Sequence, residues 1–156
     1  KLDDVDHKIL DLLIDNSRIP FTDIAKKLLI SAGTVHVRVK KMEEFGIIKG
    51  ASLALDYKKL GYTFIAYIGI FLEKTHLTNY VLEKLDSIPY ATVAHITTGR
   101  FNIFCKVRCK DTDHAKEIIF MIDDIEGVSR TETMISLEES INDKKRLMHK
   151  IFNEIK

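Results

Sequence analysis

The sequence predicts an α+β chain in two parts: an N-terminal winged helix-turn-helix of three helices joined to a C-terminal ferredoxin-like βαββαβ domain. Three observations predict it. Before residue 46, apolar residues recur at helical spacing in three short runs, each opened by a capping residue. After residue 62, β-branched and aromatic runs alternate with helical ones in the order strand, helix, strand, strand, helix, strand. Charge is segregated as well: residues 1–23 carry net −3, residues 24–50 net +4, and the remainder is neutral. With 46% hydrophobic and 30% charged residues over 156 positions, the chain has the composition of a globular protein rather than a disordered one.

The first helix is expected over Asp3 to Asp15. Val5, Ile9, Leu12 and Leu13 form its apolar face, and Asp3, Asp4 and Asp6 sit where the helix dipole favours carboxylates. Asn16-Ser17-Arg18 stops it and Pro20 announces the next start. Thr22 is expected to cap a short helix over Asp23 to Leu28, with Ile24 and Leu28 on one face. Ser31 then caps a third helix, Ala32 to Phe45, whose buried stripe is Val35, Val39 and Met42, and Gly46 ends it. Residues 51–56 alternate like a linker strand and Tyr57 to Gly61 reads as a turn, which places the domain boundary at residue 60 (domains 1–60 and 61–156).

In the second part, Thr63 to Leu72 reads as a strand that is apolar on both faces. A helix carrying Val81, Leu82, Leu85 and Ile88 follows and ends at Pro89. Strands are expected over Ala91 to Thr97 and Asn102 to Cys109, a helix capped by Asp111 with Ala115, Ile118, Ile119 and Ile122 inward, and a last strand over Val128 to Glu138. An amphipathic helix, Asp143 to Glu154, closes the chain with Leu147, Met148, Ile151, Phe152 and Ile155 on one side. Helices on one side of a four-stranded sheet leave the other face bare, and a strand apolar on both faces implies a cover for it. Another copy of the same sheet is the simplest cover, so a homodimer is expected; the C-terminal helix is the competing cover.

The third helix carries the DNA-binding expectation. In a helix-turn-helix the second helix of the pair enters the major groove of double-stranded DNA with its early residues against base edges. Opposite the buried stripe stand Gly33, Thr34, His36, Val37, Lys40 and Lys41. Thr34 and His36 can hydrogen-bond base edges, and Val37 suits a thymine methyl. Arg38, Lys40 and Lys41 suit phosphates, as does the N-terminus of the helix at Thr22; Ser31 and Gly33 permit close approach. The competing reading is a three-helix scaffold with a solvated basic face.

These residues resemble a known family. Leu2-Asp3, Asp6, Ile9-Leu10, Leu13, Asn16 and Arg18 are spaced as in the opening of the Lrp/AsnC (feast/famine) regulators. Asp23-Ile24-Ala25, Ser31, Thr34-Val35, Arg38-Val39, Met42-Glu43 and Gly46-Ile47-Ile48 resemble that family's helix-turn-helix, and the βαββαβ half resembles its effector-binding and assembly domain. The resemblance implies a transcriptional regulator that dimerises through its C-terminal sheets, assembles further to octamers, and binds an amino-acid effector between dimers. The implied effector loop is Thr98, Gly99, Arg100, Phe101 and Asn102, with Met134 and Ser136 as neighbours. Family members carry an acidic residue where this chain has Asn102. Asn102 can accept an effector's ammonium only as a neutral group, whereas Arg100 introduces a cation suited to a carboxylate. The site therefore has an altered ligand preference or is structural only. A second departure is Leu29, at a turn position where the family has glycine; either a left-handed strain of about 1 kcal/mol is present or the turn differs.

Other chemistries find little support. His7, His36, His76, His95, His114 and His149 show no metal-ligand spacing, no nucleophile–base pair stands out, and no glycine-rich phosphate loop is present. Asp123-Asp124 reads as a helix end. No catalytic residue, metal or cofactor is expected. Cys105 and Cys109, about 13 Å apart along one strand, read as reduced thiols of a cytoplasmic protein. No membrane segment is seen, and Lys1-Leu2-Asp3-Asp4 is unlike a signal peptide. The alternatives are an effector-independent regulator and a ferredoxin-like small-molecule-binding protein.

Overall fold

The structure, a computed structural model, describes residues 1–155. In chain order its elements are α1 (Asp4–Asp15), α2 (Phe21–Leu28), α3 (Ala32–Glu44), β1 (Phe64–Leu72), a 3-10 turn (Thr75–Leu77), α4 (Thr78–Asp86), β2 (Ala91–Ile96), β3 (Ile103–Cys109), α5 (Thr112–Asp123), β4 (Val128–Ile135) and α6 (Arg146–Glu154). They form two compact units. The first joins Lys1–Ala54 to the segment from Ser140 onward; the second is Leu55–Glu139. The division therefore falls before residue 60, and α6 belongs to the first unit rather than the second. The reason is polar: His149 of α6 and Lys145 just before it bond to groups in the C-terminal part of α1.

In the first unit Asp3 caps α1 rather than lying within it. Asp6 N–H donates to Asp3 Oδ1 at 2.9 Å and Asp3 N–H donates to Asp6 Oδ2 at 3.1 Å, a reciprocal capping box. The second helix departs from expectation. It begins at Phe21, so Thr22 lies exposed in its first turn and caps nothing. Pro20, fixed at φ −61°, supplies the extended cap backbone, and its carbonyl accepts from Asp23 and Ile24. Ser31 does cap α3, accepting from Thr34 N–H at 3.1 Å. The three helices close around Ile9, Ile24, Ala25, Val35, Val39 and Met42. Among the described residues Leu29 is the one non-glycine with positive φ (φ 57°, ψ 44°), so the turn keeps the left-handed geometry and bears its strain. Residues 51–56 form no strand: Leu53 and Leu55 are exposed, and among the described residues no segment pairs with them as a ladder. The alternation is real, but a strand needs a second one.

The second unit is a four-stranded antiparallel sheet in the order β2-β3-β1-β4 with α4 and α5 on one face. Ala66, Ile68 and Ile70 of β1 pack with Ile103, Cys105 and Val107 of β3 against Val81, Leu85, Ala115, Ile118 and Ile122. The opposite face of β1 carries buried Ile65 and half-buried Tyr67 and Phe71, with Tyr67 stacked on Phe104 at 5.8 Å. β4 stops at Ile135, three residues before the expected Glu138, and the pairing closes with Ser136 N–H donating to the Ile65 carbonyl. Cys105 and Cys109 are free and buried on the core side; burial pushes both thiols up to about 11, so neither is a nucleophile at neutral pH. Among the described residues no helix is long and apolar enough to cross a membrane.

The strained turn yields a test. Leu29 is 91% exposed, so Leu29→Gly forfeits no packing while it removes the left-handed penalty. After the greater unfolded-state entropy of glycine is subtracted, the variant gains about 0.5 kcal/mol, read as a higher denaturant midpoint at unchanged m.

Candidate nucleic-acid interface and effector loop

α3 presents two faces. Val35, Val39 and Met42 are buried, whereas Ser31, Gly33, His36, Val37, Lys40 and Lys41 are exposed. Gly33 is surrounded by open space: an added Cβ would meet nothing nearer than Ser31 Oγ at 3.9 Å. Nothing inside the unit requires a glycine there, and the surface stays low at the entry end of the helix. Thr34 is half-buried, and its hydroxyl shares a 2.8 Å hydrogen bond with Ser31 Oγ, so it serves the cap first. The His36 ring rests 6.0 Å from that of Phe21. Lys26, Lys27, Lys40 and Lys41 are exposed and make no salt bridge among the described residues, leaving their charge to an outside anion.

Arg38 corrects the expectation of a phosphate contact. Its Nη1 donates to Asp3 Oδ1 and Oδ2 at 2.6 Å and to Asp6 Oδ1 at 3.2 Å. It stands three residues after Val35 and four before Met42, on the flank of the buried stripe, and its side chain is 29% exposed. Arg38 therefore ties α3 to the start of α1. The guanidinium beside Asp3 holds that carboxyl down to about 2, and the pairing raises the Arg38 pKa. The available signal was the wheel position of Arg38 together with acidic residues at the start of α1.

The β2–β3 loop is built around Gly99, whose φ of 90° favours glycine. Thr97 Oγ1 donates to the Phe101 carbonyl at 2.9 Å, and Asn102 N–H donates to the Ile70 carbonyl at 3.0 Å. Asn102 Oδ1 accepts from Leu72 N–H at 2.9 Å, so the acceptor expected to meet an ammonium is engaged by the backbone. Phe101 lies over Gly69 in the space a side chain there would fill, edge-on to Phe71 at 5.2 Å. Thr98, Gly99 and Arg100 are exposed.

Arg100 is not a free cation. It donates to Glu132 Oε1 at 2.5 Å, and Arg130 donates to the same oxygen at 3.1 Å. Arg130 also lies over the Phe71 ring at 3.9 Å. Arg100 foremost, then Arg130, draws the Glu132 carboxyl below its usual range. Met134 and Ser136, expected beside the loop, are not there. Met134 pairs with Tyr67 and Ser136 with Ile65, whereas the loop meets β1 at Ile70 and Leu72, about 10 Å along the strand. Glu132 and Arg130 hold the positions assigned to them. Sequence reasoning missed this because β4 was read three residues too long and its register was unknown.

Comparison with known proteins agrees with both halves. Residues 2–49 match a family model described as winged helix-turn-helix DNA-binding, and residues 65–145 match the Lrp/AsnC ligand binding domain. The regulatory protein AsnC of Escherichia coli (strain K12) is 38% identical over 141 residues, covering 90% of this chain and 93% of that protein. A solved structure of E. coli AsnC superposes with a TM-score of 0.88 at 37% identity, covering 91% of this chain and 96% of that one. A transcriptional regulator from Neisseria meningitidis, solved as an L-Met complex, shares the fold at a TM-score of 0.88 and 18% identity, covering 93% and 96%.

Two outcomes follow from this geometry. Because the Asp3 carboxyl is lowered, the stability it lends is present above its ordinary value of 3.8 and is lost as pH falls toward about 2. Arg38→Gln lowers the thermal midpoint of the first unit by about 5 °C at neutral pH and reduces that acid-dependent loss, leaving the part due to the Asp6 N–H, measured by circular dichroism melts across pH. Gly69→Ala places a methyl group within the Phe101 ring, so it expels the ring and costs about 1–3 kcal/mol. Nuclear magnetic resonance detects the expulsion as loss of ring-current shifts at Gly69 and Phe71.

Proposed function

The chain belongs to the Lrp/AsnC family of DNA-binding transcriptional regulators, and on that premise we propose which of its residues read DNA and which sense the effector. The recognition helix is α3, with Gly33, His36 and Val37 facing bases and Lys40 and Lys41 facing phosphates. Ser31 and Thr34 hold its N-terminus in form, Thr22 lies exposed in the first turn of α2, and Arg38 sets the angle. The observation that carries this reading is the exposed basic face of α3, fixed to α1 by a guanidinium that is itself withheld from the DNA.

The second domain is the ligand-binding domain of the family, and its effector is an α-amino acid held at the Gly99 loop. Glu132 offers a carboxylate for the ammonium, Arg100 and Arg130 offer guanidinium groups for the carboxylate, and Phe71 and Phe101 offer apolar surface. The relative from N. meningitidis, solved with L-Met, supports this class of ligand. A second reading, an effector-independent regulator, draws on the fact that Arg100, Arg130 and Glu132 already satisfy one another. We further propose a homodimer, assembled to an octamer, through the outer face of the sheet, where Ile65, Tyr67, Phe71 and Phe104 lie, with half-exposed Val93 and Met134 beside them. α6, the competing cover, is engaged on α1.

Binding to a labelled fragment from upstream of its own gene should weaken linearly in log salt, and Lys40→Gln with Lys41→Gln should reduce the slope by about 0.9 for each lost phosphate contact. A slope unchanged by both substitutions removes these lysines from the interface. A thermal-shift screen of the amino acids should find a stabiliser whose effect Glu132→Gln abolishes; a screen with no stabiliser favours the effector-independent reading.

A further inference from the structure

The junction of α1 and α6 holds an arrangement that neither DNA reading nor effector binding uses. His149, in the first turn of α6, stands between two carboxylates of α1. Its Nδ1 lies 2.5 Å from Asp11 Oδ1 and its Nε2 lies 2.9 Å from Asp15 Oδ1. Asp11 and Asp15 are one helical turn apart, so one imidazole spans both. A neutral imidazole has one N–H and one bare ring nitrogen. Set between two carboxylates, its bare nitrogen would face an oxygen lone pair. Both contacts are hydrogen bonds when both nitrogens carry protons, which is the imidazolium ion.

We infer that His149 is a protonation-dependent latch: as imidazolium it pins α6 to α1 as a fourth helix of the DNA-binding unit, and on losing its proton it releases α6. The surrounding charges agree. On α1, Lys8 is occupied by Asp4 at 2.8 Å, and His7 Nδ1 is bonded to the Asp3 carbonyl at 2.8 Å, so neither competes for Asp11 or Asp15. On and before α6, Lys145 Nζ reaches the Asp15 carbonyl at 3.4 Å, Asp143 caps the Lys145 N–H at 3.0 Å, and Lys150 is turned to Glu154 at 3.6 Å. Arg146 and Arg18 make no salt bridge among the described residues. Among the described residues the two carboxylates therefore meet one side-chain cation, His149. The remaining attachment is weak: α6 has no fully buried residue, and Leu147 and Ile151 are 65% and 39% exposed. Loss of the imidazolium leaves half-buried Met148 and Phe152, with the long Lys145 contact to the Asp15 carbonyl, to hold the helix. In accord with the geometry, hydrogen bonds to Asp11 and then Asp15 raise the His149 pKa above the ordinary histidine value. The sign follows. A raised pKa in the docked state means that docking is strongest below about 6.5 and is lost as pH rises through the docked value.

The test uses the full chain. The His149 ring protons, followed by nuclear magnetic resonance from about pH 5 to about pH 9, should titrate with a midpoint above the ordinary value of about 6.5. Asp11→Asn and Asp15→Asn should each bring the midpoint back down. Amide exchange of residues 146–154, corrected for the intrinsic pH dependence of exchange, should lose protection about tenfold for every unit by which docking raises the midpoint. His149→Gln, which does not titrate, should show low protection independent of pH. An ordinary His149 midpoint in the native chain overturns the latch. So does helix protection that stays constant across the titration, or a pH dependence that persists in His149→Gln.

Discussion

The geometry of the first unit depends on the clamp of Arg38 between Asp3 and Asp6. About fifty residues enclose a small core, and such a core resists rotation of its helices weakly. Val35, Val39 and Met42 decide which side of α3 faces inward. The planar guanidinium, held by two carboxylates, adds a direction as well as an attraction. The same two aspartates also start α1 through their capping box. Starting one helix and aiming another are thus a single arrangement of three residues. The clamp engages one cation of α3, while Lys40 and Lys41 stay exposed and make no salt bridge among the described residues.

The carboxylates of α1 explain why a unit meant for a polyanion has an acidic beginning. Asp3 and Asp6 are turned to α3, Asp4 to Lys8, and Asp11 and Asp15 to α6. Most of the negative charge counted along residues 1–23 is therefore answered by cations of the unit itself, while the lysines of α2 and α3 remain unanswered. Net charge per segment understates the asymmetry that DNA meets, because it ignores which charges are already paired.

How much of this was legible depends on the range of the interactions. Ser31 as a cap, the stripe Val35–Val39–Met42 and the alternation of β1 are written in local spacing, and the order of elements in the second unit followed from them. Thr22 was misjudged because a proline cap needs no side chain, so the better hydrogen-bonding residue next to it attracted the assignment. The pairing of Arg38 with Asp3 spans 35 residues, and the pairing of Glu132 with Arg100 spans 32. No periodicity reports contacts of that separation. α6 was assigned to the second domain because it follows that domain in sequence, although its partners are more than 130 residues upstream. Residues 51–56 show the opposite failure: a local pattern was present, and its required neighbour was not.

Phe101 has a consequence that reaches beyond its loop. Its ring occupies the vacancy above Gly69, so a side chain from the β2–β3 loop has become part of the outer surface of the sheet, between Phe71 and Phe104. That surface is the one proposed above for pairing with a second copy. One aromatic ring then belongs to two conversations, one with whatever settles on the loop and one with whatever lies against the sheet. On the proposed reading, a ligand that shifted the ring would redraw the footprint offered to the partner, and a partner that pressed on it would reshape the bed offered to the ligand. Because such influence is reciprocal in free energy, tighter subunit pairing and tighter ligand capture would be two readings of the same displacement.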